Sequence, residues 1–253
     1  MNRSNWIQAV WPPILVVILL LVVWQLSTIW LQIPGWLLPA PLKILSEGLQ
    51  SLPTLLKLTG STIQMTLLGF GAGVLIGLLT ACVLHLVPGF KAGFYPLLIL
   101  TQNIPTIALA PLLVILFGFG LLPKIIVITL VCFFPISIAT MDGFMQTDRS
   151  MYTYMQMIGA SKRQLFMKLE LPNSLPFIFS GLKISATYSV MGAVIADWLG
   201  SGKGIGIYMM LQKNNYRADR EFVAIFIIVC LSLLFFALIV WLEKLLIRWN
   251  VKS

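Results

Sequence analysis

The chain has 253 residues, 59% of them hydrophobic and only 10% charged, against roughly 25% charged in an ordinary soluble domain. With a mean hydropathy of +0.96, this balance excludes a water-soluble globular enzyme of ordinary composition. The net charge of +9 comes from basic residues spread thinly between apolar blocks. That pattern fits interfacial anchors and headgroup contacts, so a lipid bilayer is the expected partner and nucleic acid is not.

Backbone N–H and C=O groups in hydrocarbon must be paired within their own segment, so a spanning helix needs about 20 apolar residues. Such blocks fall at 12–33, 62–87, 94–117, 125–142, 173–197 and 222–242, about six spans. They predict an all-α integral membrane protein with a single transmembrane domain over 1–253. In the first block Arg3 precedes the apolar stretch, but the uncharged run continues to Leu42 with no clear small-x-small site. That is longer than a signal h-region of about 7 to 15 residues, and a retained first span is expected. Trp6, Trp11, Trp24, Trp30 and Trp36 near this span, with Trp241 and Trp249 near the last, suit a headgroup belt.

The second block carries Gly69, Gly73 and Gly77 at four-residue spacing, plus Gly71, which predicts close packing against another helix. Cys82, Cys132 and Cys230 each sit in an apolar run without metal-ligand spacing and read as packing residues. His85, the sole histidine, reads as an interfacial side chain, so no metal site is expected. In the third block, Thr101-Gln102-Asn103-Ile104-Pro105-Thr106 predicts a kink. Its polar side chains Thr101, Gln102, Asn103 and Thr106 either line a polar path or bond to neighbouring helices.

The segment 147–172 is too polar to span. Asp148 suits an N-cap, Gly159 a C-terminal break and Ser161 the cap of a second short helix, which Pro172 is expected to stop. Apolar Met151, Tyr154, Met155 and Ile158 in an exposed loop mark either an interaction surface or an amphipathic helix in the headgroups. With an even number of spans, Arg149, Lys162, Arg163 and Lys168 share the cytoplasmic side with both termini, a weak bias in the expected direction. Lys183 in the fifth block is expected to snorkel to that interface. Asp142 and Asp197 lie near block ends and are expected at interfaces. The run Gly200-Ser201-Gly202-Lys203-Gly204-Ile205-Gly206 has the wrong spacing for a phosphate-binding loop.

From Gly159, nine residues lead to Leu169-Glu170-Leu171-Pro172. This resembles the cytoplasmic loop of permeases in binding-protein-dependent ABC importers, where Glu-Ala-Ala, three residues, Gly and nine residues precede Ile-x-Leu-Pro. The first half departs, with Thr153-Tyr154-Met155 in place of the acidic start. The resemblance runs over nearly the whole chain, through 102–112, 117–124, 132–136, 180–188 and 192–200. It is nearest to permeases for hydroxymethylpyrimidine-type thiamine precursors, with those for aliphatic sulfonates, taurine or nitrate as the alternative.

The resemblance implies a type I importer permease fold with cytoplasmic coupling helices in a bacterial inner membrane. It also implies a homodimer, cytoplasmic ABC ATPase subunits and an extracytoplasmic substrate-binding protein. ATP and magnesium would sit in the ATPase, leaving this chain no cofactor and no catalytic residue. Tyr152, Thr153, Met155, Gly159, Ala160, Ser161, Leu169, Leu171 and Pro172 would contact the ATPase. Thr187 and Tyr188 join the polar run as candidate path residues, and Asp197, Gly204 and Gly206 form a candidate outer gate. A self-sufficient secondary transporter or channel would favour internal repeats and intramembrane ion-coupling carboxylates, neither of which is clear here. A membrane-embedded enzyme would need a His or Cys constellation or a convincing acid pair.

Overall fold

The computed structural model describes residues 3–87, 89–198 and 203–247, with side chains from residue 11 onward. All regular structure among them is helical. In chain order it comprises α1 (Arg3–Trp30), α2 (Pro41–Gln50), α3 (Leu52–Leu86), α4 (Phe90–Thr101), α5 (Thr106–Phe117), α6 (Leu121–Met145), α7 (Arg149–Met157), α8 (Lys162–Leu165), α9 (Leu171–Asp197), α10 (Ile205–Asn214) and α11 (Ala218–Leu246). A π-helical turn, Phe166–Glu170, joins α8 to α9. Among the described residues, five segments are long and apolar enough to cross a bilayer: Trp11–Trp30, Leu52–Leu86, Leu121–Met145, Lys162–Asp197 and Ala218–Leu246. The pair α4 and α5 makes a sixth if counted as one broken span.

That pair is broken rather than kinked, with 96° between its halves. Pro105 has no N–H for the ladder, and its ring disfavours helical backbone at Ile104. Pro105 itself takes an extended conformation (ψ 113°) and starts α5.

The chain divides into two compact units. The larger comprises Thr59–Ile207 and Ile228–Ser253. Its centre is the close pairing of α6 with α9, where small residues admit the neighbouring backbone: a Cβ on Gly181 would lie 2.9 Å from the Pro135 carbonyl oxygen. The Ser185 hydroxyl donates to the Cys132 carbonyl across this seam at 2.9 Å. Against α6 also packs the α3 glycine track in step: Gly69 faces Ile128, Gly73 faces Cys132 and Gly77 faces Ile136, the first two with room for no Cβ (2.5 and 2.6 Å). Gly71, on another face, meets nothing. Four-residue spacing on both helices therefore produces one continuous close seam. Cys132 packs as expected; Cys230 does not, being exposed.

The smaller unit comprises Met1–Leu58 and Tyr208–Ile227. Trp24 of α1 packs on Phe222 of α11 with ring centroids 5.7 Å apart. Ile44 of α2 is buried, and Gly48 rests on Val223. A charged cluster ties the parts together. Glu47 accepts from Arg217 and Arg220 at 3.0 and 2.9 Å, while Asp219 accepts from Arg217 at 3.0 Å and pairs with Lys43 at 3.6 Å. Trp11, Trp30, Trp36 and Trp241 are exposed. The side chains of Trp6 and Trp249 lie outside the described residues.

Candidate functional site

The segment 147–172 forms two helices with both starts capped. Asp148 Oδ1 accepts from the Ser150 amide at 2.8 Å. Gly159 turns the chain at φ +86°, a left-handed conformation that glycine adopts without Cβ strain. Ser161 and Gln164 then exchange two bonds, the Gln164 amide donating to Ser161 Oγ at 3.3 Å and the Ser161 amide to Gln164 Oε1 at 2.8 Å. This reciprocal cap fixes the entry to α8.

Pro172 does not stop the helix, contrary to expectation. The path from Lys162 runs on to Asp197 through the π turn, with Pro172 in the first turn of α9, where a missing N–H is tolerated. The wider turn absorbs the proline, so α8 and α9 form one continuous arm. On the hairpin, Met151, Tyr154, Met157 and Ile158 are 48 to 80% exposed. Met155 and Tyr152 are half-buried, Thr153 and Ser161 exposed, and Ala160, Leu169 and Leu171 half-buried.

His85, expected as an isolated interfacial side chain, joins this arm to α3. Its Nε2 lies 3.0 Å from Glu170 Oε2 inside the π turn, and its ring stacks on Phe144 of α6 at 4.6 Å. Phe166 flanks it at 6.2 Å. Lys183 pairs with Glu243 of α11 at 3.0 Å.

Asp197 departs furthest from expectation. Instead of a wet interface it occupies a fully buried position, with Lys124 of α6 also buried beside it (0% and 1% exposed), Nζ to Oδ1 2.9 Å. Thr62 Oγ1 of α3 donates to Asp197 Oδ2 at 3.3 Å and accepts the Ile205 amide at 2.9 Å; the Gly206 amide donates to the same Oδ2 at 3.2 Å. Gly204 (φ +125°) lies so close to the Asp197 carboxylate that a Cβ would overlap it, and a Cβ on Gly206 would come 2.7 Å from the Val194 carbonyl oxygen. One carboxylate thus gathers α3, α6, α9 and the start of α10. Residues 200–202 of the glycine-rich run lie outside the described residues. Sequence reading missed Lys124 and Thr62 as Asp197's partners; the one available signal was a lysine close to the start of an apolar block.

The candidate path residues remain on exposed surface. Thr101, Gln102 and Asn103 are exposed at the α4–α5 break, and Thr106 is half-buried. Thr101 Oγ1 donates to the Leu97 carbonyl at 2.9 Å and Asn103 Nδ2 to the Ile99 carbonyl at 2.9 Å, both within α4 or its end. Thr187 and Tyr188 are exposed on α9, on a stripe shared with Ile184 and Met191.

Five or six spans, one of them broken, and an exposed capped hairpin continuous with the span most buried in protein define a helical membrane transport subunit. Residues 73–249 match the family described as binding-protein-dependent transport system inner membrane component, and the chain belongs to that family. It is 34% identical over 249 residues to the formylaminopyrimidine transport permease ThiX of Halalkalibacterium halodurans, covering 95% of this chain and 96% of that protein. It is 29% identical to the riboflavin transport system permease RibX of Chloroflexus aurantiacus, over 95% and 91% of the two chains. A crystal structure of an amino acid ABC transporter with histidines has the same fold, at a TM-score of 0.66 and 16% identity over 80% of this chain and 98% of that one. The protein is therefore an ABC importer permease and a multi-pass membrane protein.

Proposed function

We propose that two copies of this chain enclose a path for a small heteroaromatic solute, a hydroxymethylpyrimidine or aminopyrimidine precursor of thiamine. Two cytoplasmic ATPases grip the 147–172 hairpins, and a binding protein delivers the solute to the opposite face. The observation that carries the coupling role is the exposed, doubly capped hairpin running without interruption into α9. An exposed apolar patch on a rigid mount is a docking surface, and a stiff arm transmits its displacement into the spans. A ligand shifts a conformational equilibrium only by contacting its two states differently, so ATP must act by moving this arm. ATP and magnesium belong to the ATPase, and no catalytic residue is assigned here.

In this reading Tyr152, Thr153, Met155, Gly159, Ala160, Ser161, Leu169, Leu171 and Pro172 form the surface that couples to the ATPase. Thr101, Gln102, Asn103, Thr106, Thr187 and Tyr188 line the path, their exposure in one copy being covered or made into a channel wall by the second. Asp197, Gly204 and Gly206 sit at the outer gate, and both termini face the cytoplasm of a bacterial cell.

Reconstitution tests this. Liposomes holding the chain, its ATPase and its binding protein should take up labelled aminopyrimidine only with ATP. ATP-independent uptake by the chain alone would overturn the importer mechanism. Screening the binding protein against aminopyrimidines, riboflavin, taurine, alkanesulfonates and nitrate reads the substrate separately, and tight binding of a sulfonate would replace the pyrimidine assignment.

A further inference from the structure

The three faces of α2 have different characters. At about 100° per residue, Ile44 and Gly48 share one face, which is buried on Val223. Lys43, Ser46, Glu47 and Gln50 form a polar flank, on which Glu47 and Lys43 are held by the charged cluster. Leu42, Leu45 and Leu49 point away from the buried face and are 67, 61 and 65% exposed.

The depth of α2 is fixed by its bonds. The Leu42 amide donates to Gln25 Oε1 at 3.2 Å. Gln25 stands five residues before the end of the 20-residue apolar segment Trp11–Trp30, about 8 Å inside it at 1.5 Å rise per residue. Gly48 is level with Val223, just inside the apolar start of α11. The helix therefore lies beside the ends of two spans rather than beyond them, next to the last turns of α1, where Leu26, Ile29 and Trp30 are themselves 41 to 79% exposed.

We infer that α2 is an interfacial helix seated in the outer part of one leaflet, Leu42, Leu45 and Leu49 entering the acyl chains and the polar flank meeting headgroups. Such helices rest with the apolar face about 5 to 10 Å into the headgroup–acyl boundary, and the Gln25 bond seats the start of α2 alongside the last turns of the apolar segment. The partner is the lipid surface, whatever the solute carried. Because α2 is bonded to the α10–α11 turn through Glu47 and Asp219, this seat also fixes the level of that turn in the membrane.

The test uses the full chain with Cys82, Cys132 and Cys230 replaced, single cysteines at 42, 45, 46, 49 and 50, nitroxide labelling, and reconstitution in phosphatidylglycerol–phosphatidylethanolamine vesicles. Each labelled variant is first checked for monodisperse elution and helical circular dichroism, and positions 42 and 49 suffice if 45 fails. Collision with oxygen should exceed collision with water-soluble nickel chelate several-fold at 42, 45 and 49, and the order should reverse at 46 and 50. Nickel accessibility at the leucine positions would show a water-facing surface awaiting a soluble partner. Low accessibility to both reagents would show a protein cover, such as a second copy. Either result overturns the lipid seat.

Discussion

Lys124 Nζ and Asp197 Oδ1 stand 2.9 Å apart with both side chains almost wholly withdrawn from solvent, joining the start of α6 to the end of α9. Two buried charges are tolerable only as a pair with their remaining bonds made. Thr62 and the Gly206 amide supply those bonds to Asp197. Asp197→Asn should therefore destabilise the protein by about 3 to 5 kcal/mol, because Lys124 is left as an uncompensated charge. Replacing both, Lys124→Met with Asp197→Leu, should recover part of that loss. Thermal unfolding of the detergent-solubilised protein measures both, and equal stability of the single and wild-type proteins would refute the clamp.

The glycine track makes a positional prediction. Gly69→Ala and Gly73→Ala would put a methyl 2.5 and 2.6 Å from Ile128 and Cys132 Cβ atoms, forcing the helices apart at about 1 to 3 kcal/mol each. Gly71→Ala meets open space and should be neutral or slightly stabilising. Melting temperature and yield of the three variants would reveal any failure of this order.

On the proposed docking role of the 147–172 hairpin, Thr153-Tyr154-Met155 stands where the resembling motif has its acidic start, so docking should rest on shape and apolar contact more than on charge. Met155→Asp should reduce transport and uncouple the ATPase severalfold more than Thr153→Ala. Uptake per ATP hydrolysed in proteoliposomes is the measurement; the reverse order would assign the contact to Thr153.

His85 and Glu170 tie the π turn to α3. Breaking that tie with His85→Ala or Glu170→Gln should lower uptake per ATP while leaving ATPase binding intact, since both side chains are turned inward and largely covered. Co-purification with the ATPase and coupled uptake separate the two effects, and unchanged coupling in both variants would reduce the pair to local packing.

Asn103 is exposed at the α4–α5 break and bonds only within its own segment in the described structure. Asn103→Leu should lower transport without lowering assembly if the residue lines the path. Wild-type uptake by a normally assembled variant would remove it from the path.

The membrane class and the helical fold could be read from the sequence, because apolar length and local turn chemistry are properties of short segments; the importer-permease family was legible only as a resemblance, carried by the run from Gly159 to Pro172 and the stretches around it. Asp148, Gly159 and Ser161 announced their caps for the same reason, as their bonds reach only two or three residues along the chain. What the sequence could not reveal was pairing between distant segments. Asp197 sat near a block end and read as interfacial, since nothing local says that Lys124, 73 residues away, meets it in a dry site with Thr62. His85 likewise seemed solitary until the fold brought Glu170 across 85 residues. Pro172 looked like a stop because the local rule knows only the α-ladder, whereas the π turn before it carries the helix past. Spans and caps thus follow from near-neighbour chemistry. The Lys124–Asp197 pair and the His85–Glu170 contact exist only because tertiary packing brings together polar groups from distant segments and leaves them one another as partners.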